Sequence, residues 1–227
     1  MIAWSHSVLE SVETCAWRHY QTKVLKSVID TPGEAMMRGR AVHKSMENRV
    51  KHGKPLTPEL IKHEPLVQRL IDISKGGRLE AETQMALDQN YKPTSWFGKQ
   101  TWVRSITDLS ILKGARAFVA DWKTGKRKTE ATTQLKLSSV VMFATHPELE
   151  EVRNSFVWLD EPDPTLRLTV ETYTRDQAPD IWREFLPRVA RLEAAHASGQ
   201  WPKRPSGLCK NHCPVPRSVC EHSGKFA

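Results

Sequence analysis

The chain has 227 residues, 39% hydrophobic and 26% charged, the balance of an ordinary globular protein rather than a disordered, collagen-like or coiled-coil one. Its 34 Lys and Arg against 26 Asp and Glu give a formal net charge of +8, which favours a polyanionic partner. No apolar stretch, the best lying around Val140–Ala144, approaches the roughly 20 residues a membrane span needs, and Met1–His6 lacks the basic start of a secretory leader.

Helices come first. Val8, Val12 and Ala16 recur at helical spacing, predicting a helix from Ser7 to about Lys23 with Ser5 or Ser7 as its cap. A second helix is expected over Glu34–Val50, after the Pro32-Gly33 turn. Thr57-Pro58 opens a third, which Pro65 bends or restarts. From Leu79 the pattern is that of strands. Gln100–Leu112 and Arg116–Lys123 flank Gly114-Ala115, a two-residue hairpin loop with glycine first. A helix over Thr129–His146 and strands over Val152–Leu159 and Thr165–Tyr173 follow. Thr174 and Gln177 form a capping box for a helix striped with Ile181, Phe185, Val189 and Leu192, which Gly199 closes. The Pro- and Cys-rich tail has too few apolar residues for a core of its own.

The hairpin has a consequence for chemistry. A Gly114-Ala115 turn pairs residues whose numbers sum to 229, so Asp108 faces Asp121, and Lys123 projects from the same face. Two carboxylates so placed repel unless a divalent ion, Mg²⁺ or Mn²⁺, lies between them. The alternative is a solvated salt-bridge cluster on an exposed sheet face. Trp122 points to the core, with its carbonyl free to reach the ion. Glu80 and Glu82 lie upstream, as an outer ligand or as a solvated edge. The basic run Lys123, Lys126, Arg127 and Lys128 follows the strand, and the pair Trp96-Phe97 is expected to pack against the sheet rather than to stack on bases.

The four cysteines are Cys15 and the set Cys209, Cys213 and Cys220. In a reducing compartment such a group more often binds metal than forms disulfides. Four thiolates suit Zn²⁺ or a [4Fe–4S] cluster, and His212 and His222 stand near enough in sequence to replace a cysteine on zinc.

The segment Asp121-Trp122-Lys123-Thr124-Gly125 resembles the D-x-K-T-G core of the PD-(D/E)XK nuclease superfamily, in its RecB-like branch. Ser5, Ser7, Leu9, Cys15 and Tyr20 resemble the opening helix of iron–sulfur members, similar to CRISPR-associated and AddB-type nuclease domains. Gly39-Arg40-Ala41-Val42-His43 resembles the G-x-x-x-H motif, and Gln134 falls at the glutamine of Q-x-x-x-Y, where Ser138 replaces the tyrosine. The cysteine triplet, C-x₃-C-x₆-C, is looser than the common C-x₂-C.

The resemblance implies an α/β, restriction-endonuclease-like fold: a mixed central sheet flanked by helices in a single domain over 1–227. Its parts are a helical portion at 1–76, a catalytic sheet core at 77–174, a long helix at 175–199 and a metal-stapled tail at 200–227. It implies Asp108, Asp121, Lys123 and Gln134 as catalytic residues, and His43, Asp108, Asp121 and the Trp122 carbonyl as ligands of Mg²⁺ or Mn²⁺. Cys15, Cys209, Cys213 and Cys220 would hold a [4Fe–4S] cluster, with Zn²⁺ as the alternative. The expected function is DNA exonuclease activity on ends or single strands, in a bacterial or phage-infected cytoplasm. A homo-oligomer or a partner in a recombination complex is compatible with it. The competing reading is a non-catalytic nucleic-acid-binding or accessory subunit of a recombination or CRISPR-adaptation complex.

Overall fold

A computed structural model describes residues 2–127 and 132–224. It divides into two compact units, Met1–Ala3 with Glu34–Arg183 and Trp4–Gly33 with Glu184–Ala227. Among the described residues no helix is long and apolar enough to cross a membrane.

The first unit is built on a five-stranded sheet, β1 (Arg78–Leu87), β2 (Val103–Lys113), β3 (Arg116–Lys123), β4 (Glu151–Trp158) and β5 (Leu168–Thr174), in the order β1-β2-β3-β4-β5. All neighbours are antiparallel except β3 and β4, which run parallel. A parallel pair needs a crossover, and α5 (Thr133–Thr145) supplies it. The expected helix from Thr129 has its first turn outside the described residues. Sequence and structure agree on the hairpin, where Lys113 pairs with Arg116 and Gly114 adopts a left-handed φ of 57°.

Two layers cover the sheet. Val42 and Met46 of α3 (Glu34–His52) and Val67 and Leu70 of α4 (Glu64–Ile73) pack with Leu109, Ile111, Ala120 and Trp122. The Trp122 indole is therefore in the core, as its alternation with Asp121 predicts. On the other face α5 is buried nearly all round, from Leu135 to Phe143, and so reads as apolar without one preferred side. Asn154 of β4 donates to the Leu135 carbonyl at 3.2 Å, pinning that helix to the sheet.

The helix expected after Thr57 starts as a 3₁₀ segment, Pro58–His63, and α4 begins only beside Pro65. Two prolines seven residues apart each remove a backbone donor and split the element.

In the second unit the helix expected over Ser7–Lys23 is broken. α1 (His6–Thr14) ends at Cys15, whose backbone is extended, followed by α2 (Ala16–His19) and a π-helical turn, Tyr20–Val24. The break frees Cys15 from the helix surface. Ser5 caps α1, accepting from the Val8 N–H at 3.4 Å. The capping box forms, with the Thr174 N–H donating to Gln177 Oε1 at 2.9 Å, ahead of α6 (Ala178–Ser198). All four residues of its predicted stripe are buried, and Gly199 follows at φ 68°. A short helix, α7 (Leu208–Asn211), carries Cys209 in the tail.

Candidate active site

The β2–β3 ladder keeps the predicted register through Leu109 and Ala120. At the next step a side chain replaces the backbone: Asp108 Oδ2 accepts the Trp122 N–H at 2.7 Å. The strands part there, while β3 continues its pairing with β4 as far as Lys123 and Trp158. Asp108 is 8% exposed. The separation leaves a notch at the end of β3, beside the middle of β1 and β2, into which carboxylates from three strands are brought.

Glu82 is the third of these. Ala81 pairs with Leu109 and Thr83 with Thr107, so Glu82 lies opposite Asp108. Its backbone is left-handed at φ 49°, a conformation costly for a residue with a side chain. Glu80 instead pairs with Arg78 at 2.7 Å. Of the two upstream glutamates, Glu82 alone joins the cluster.

His43 comes from α3. Its Nε2 lies 2.9 Å from the Trp122 carbonyl oxygen and its Nδ1 is 3.2 Å from Asp108 Oδ1 and 3.8 Å from Glu82 Oε1. A carbonyl only accepts, so Nε2 carries a proton, and Nδ1 carries another toward the carboxylates. Burial opposes that charge, but the Asp108 and Glu82 carboxylates prevail and push the imidazole up to about 10. His43, Glu82 and Asp108 are the one set among the described residues whose metal-ligating atoms all lie within 4.8 Å of one another.

Asp121 and Lys123 point toward α5. Lys123 Nζ is 2.7 Å from Asp121 Oδ2, donates to Gln134 Oε1 at 2.9 Å and sits 4.6 Å from the Phe156 ring centre. The Gln134 amide closes the triangle by donating to Asp121 Oδ1. Burial and then the Asp108 charge raise the Asp121 carboxyl above its usual range, against the pull of Lys123. Asp121 Oδ2 is buried and is held by the Lys123 ammonium. The clustered donors His43, Glu82 and Asp108, with Asp121 beside them, form an oxygen-rich set with one imidazole, which suits Mg²⁺ or Mn²⁺. The residues fit such an ion.

A groove of about 450 Å³ opens beside the notch, lined by Gly39, Arg40, His43, Lys44, Glu82 and Thr124. Ser138 is buried with a hydroxyl that makes no hydrogen bond among the described residues. Of the basic run, Lys126 and Arg127 line a pocket with Asp160, while Lys128 lies outside the described residues. Trp96 is half-buried, but Phe97 is 86% exposed, against the expectation that the pair packs on the sheet.

Elsewhere, Cys15, Cys209, Cys213 and Cys220 line one cavity of about 120 Å³, together with His212 and His222. All four are free thiols. Burial, followed by the neighbouring Cys209 and Cys15, raises the Cys213 thiol.

The model of the PD-(D/E)XK nuclease superfamily matches residues 3–221. The chain belongs to that superfamily. Among solved structures, this nuclease-superfamily chain is similar to a putative exonuclease from Eubacterium rectale. The two are 13% identical with a TM-score of 0.56, over 92% of this chain and 86% of that one. It is also similar to LHK-Exo in complex with dAMP, at 14% identity and a TM-score of 0.42, over 86% and 92%. LHK-Exo is an alkaline exonuclease from Laribacter hongkongensis. No curated protein matches the sequence.

Sequence reasoning reached Asp108, Asp121 and Lys123 through register, and His43 and Gln134 through motif resemblance. It leaves Glu82 undecided, because the connection over 88–102 is no tight turn and fixes no register; the pairing opposite Asp108 comes from the structure alone.

Proposed function

We propose that the chain is a divalent-metal-dependent DNA exonuclease of the RecB-like branch, hydrolysing phosphodiester bonds from ends or on single strands in recombination, repair or phage DNA metabolism. One observation carries this reading. His43, Glu82, Asp108, Asp121 and the Lys123 ammonium converge where β3 ends against β2, in a chain of that superfamily.

His43, Glu82, Asp108, Asp121 and the Trp122 carbonyl would hold Mg²⁺ or Mn²⁺. When bound, such an ion supplies Lewis-acid stabilisation of phosphate charge and acidifies water. Lys123 would orient the attacking water or offset the charge on the phosphate oxygens. In hydrolysis the water oxygen adds to phosphorus as a phosphorus–oxygen ester bond breaks, the water gives up a proton, and the released ester oxygen takes one up. Gln134 fixes Lys123 and Asp121 relative to each other, and Arg40 and Lys44 line the groove by which a phosphate would enter.

The four cysteines are proposed to hold a [4Fe–4S] cluster as a structural clip. All four line one cavity as free thiols, and Zn²⁺ is the alternative occupant.

The test is cleavage of end-labelled single- and double-stranded DNA with Mg²⁺ or Mn²⁺. Wild type should release nucleotides from ends, and Asp121→Ala or Lys123→Ala should lose at least about 100-fold while keeping the fold. Retained activity in either folded variant would overturn the assignment. Iron and zinc analysis of anaerobically purified protein decides the cluster separately.

A further inference from the structure

The connection between β1 and β2, residues 88–102, is long where 2–5 residues are usual for a hairpin, and it is braced. The Asp88 carboxylate accepts the N–H groups of Asn90 and Lys92 at 2.8 and 2.9 Å. Leu87 bridges to Pro93, and the Thr101 hydroxyl donates to the Ser95 carbonyl at 2.8 Å. The Gly98 N–H closes a tight turn onto the same carbonyl at 3.0 Å. A Cβ added at Gly98 would come within 2.6 Å of Ser95 Oγ.

This frame holds the Phe97 ring in solvent, 86% exposed, where folding alone would bury it. Arg104 of β2 lies beside both aromatics, its guanidinium 5.4 Å from the Trp96 ring centre and 5.6 Å from that of Phe97. Arg104 Nε donates to the Trp96 carbonyl at 2.8 Å. Lys92 and Lys99 are exposed on the same loop. Its one acidic residue, Asp88, is turned onto its own backbone. Open ring faces interleaved with cations match a negatively charged chain of planar groups.

Position ties the loop to the metal notch. Arg104, Ile106 and Asp108 alternate along one face of β2, so Arg104 stands four residues, about 13 Å, from Asp108. Between them Ile106 is 43% exposed, and Gln84, its partner on β1, is exposed as well. The path is uncovered.

We propose that Phe97, Trp96 and Arg104 form a stacking platform for unpaired bases of a DNA strand whose phosphate, a few nucleotides away, lies at the His43–Asp108–Asp121 notch. This rests on the nuclease reading and narrows it: single-stranded or frayed ends are the substrate, and a blunt duplex is not.

Binding of the full chain to fluorescently labelled oligonucleotides, without divalent ion, tests it by anisotropy. Phe97→Ala should weaken single-strand binding by roughly 5- to 150-fold. Phe97→Trp should restore it and Phe97→Leu should not, because stacking needs a ring rather than bulk. An oligonucleotide with an abasic tract should show no such difference. Unchanged binding by Phe97→Ala, equal losses on abasic and base-bearing strands, or a concentration-dependent dimer removed by the substitution would each overturn the platform. A wild-type chain that cuts DNA without this aromatic dependence would remove the platform alone. One that neither binds nor cuts DNA would remove the parent reading too.

Discussion

Asp108 does two things with one carboxylate. Oδ1 faces the His43 imidazole at 3.2 Å, and Oδ2 takes the Trp122 N–H at 2.7 Å where the ladder has no carbonyl to offer. Removing it therefore affects more than the chemistry, because a buried backbone donor loses its acceptor. Asp108→Ala should destabilise the metal-free protein by about 1–3 kcal/mol, measured by urea denaturation with no divalent ion present. Asp108→Asn, whose amide oxygen still accepts, should recover much of that loss without recovering cleavage. Equal stability of wild type and Asp108→Ala would mean that the donor is satisfied in another way. Gln134 is the counterpart on α5. It touches both Asp121 and Lys123 and leaves each little freedom to turn away from the notch.

At the scale of elements, the segment leaving β3 is clamped. Arg38 of α3 grips Asp160 through two hydrogen bonds of 2.7 and 2.8 Å, and Asp160 also accepts the Gly125 N–H at 2.7 Å. The clamp ties the helix carrying His43 to the loop after Lys123. The Arg38 hydrogen bonds, opposed by partial burial and helped by the Gly125 N–H, hold the Asp160 carboxyl down to about 2. A depressed carboxylate stabilises the fold above its ordinary titration range, near pH 4, and that contribution disappears as pH falls through about 2. Wild type should therefore be more stable than Asp160→Asn at pH 5, with the gap closing by pH 2 in parallel denaturation curves. A gap constant across that range would show that the charge is not what matters.

Elements were legible where the chain dictates its own geometry. Gly114 adopts the φ of 57° that a two-residue hairpin with glycine first requires, and the register followed by arithmetic until Asp108 displaced the ladder. The Thr174–Gln177 box is equally local. Tertiary demands were not legible. Val8, Val12 and Ala16 keep helical spacing straight through Cys15, so nothing in the periodicity marks the break. Arg78-Leu79-Glu80-Ala81-Glu82 contains no glycine or asparagine to announce a left-handed residue. His43, 79 positions from Trp122, was reached only through its motif. Phe97 was misread because an aromatic ring in a loop is ordinarily covered.

Across the whole molecule, the clearest message of the sequence was its pairing of a basic balance with four cysteines at distant positions. Bringing residues 15 and 209 to one cavity closes a loop of most of the chain, the kind of constraint whose entropic benefit grows with loop length. Global stability is also where Glu82 has its widest effect. A backbone held at φ 49° costs the native state about 1–3 kcal/mol, and glycine relieves most of it against roughly 0.5–1 kcal/mol of its own unfolded freedom. Glu82→Gly should therefore melt about 2–4 °C higher than wild type without divalent ion, while cutting DNA more slowly. A lower melting point would place the strain elsewhere. Selection for thermal robustness alone would erode this position first, so a hardened descendant of the chain would be expected to have traded away part of the proposed metal site.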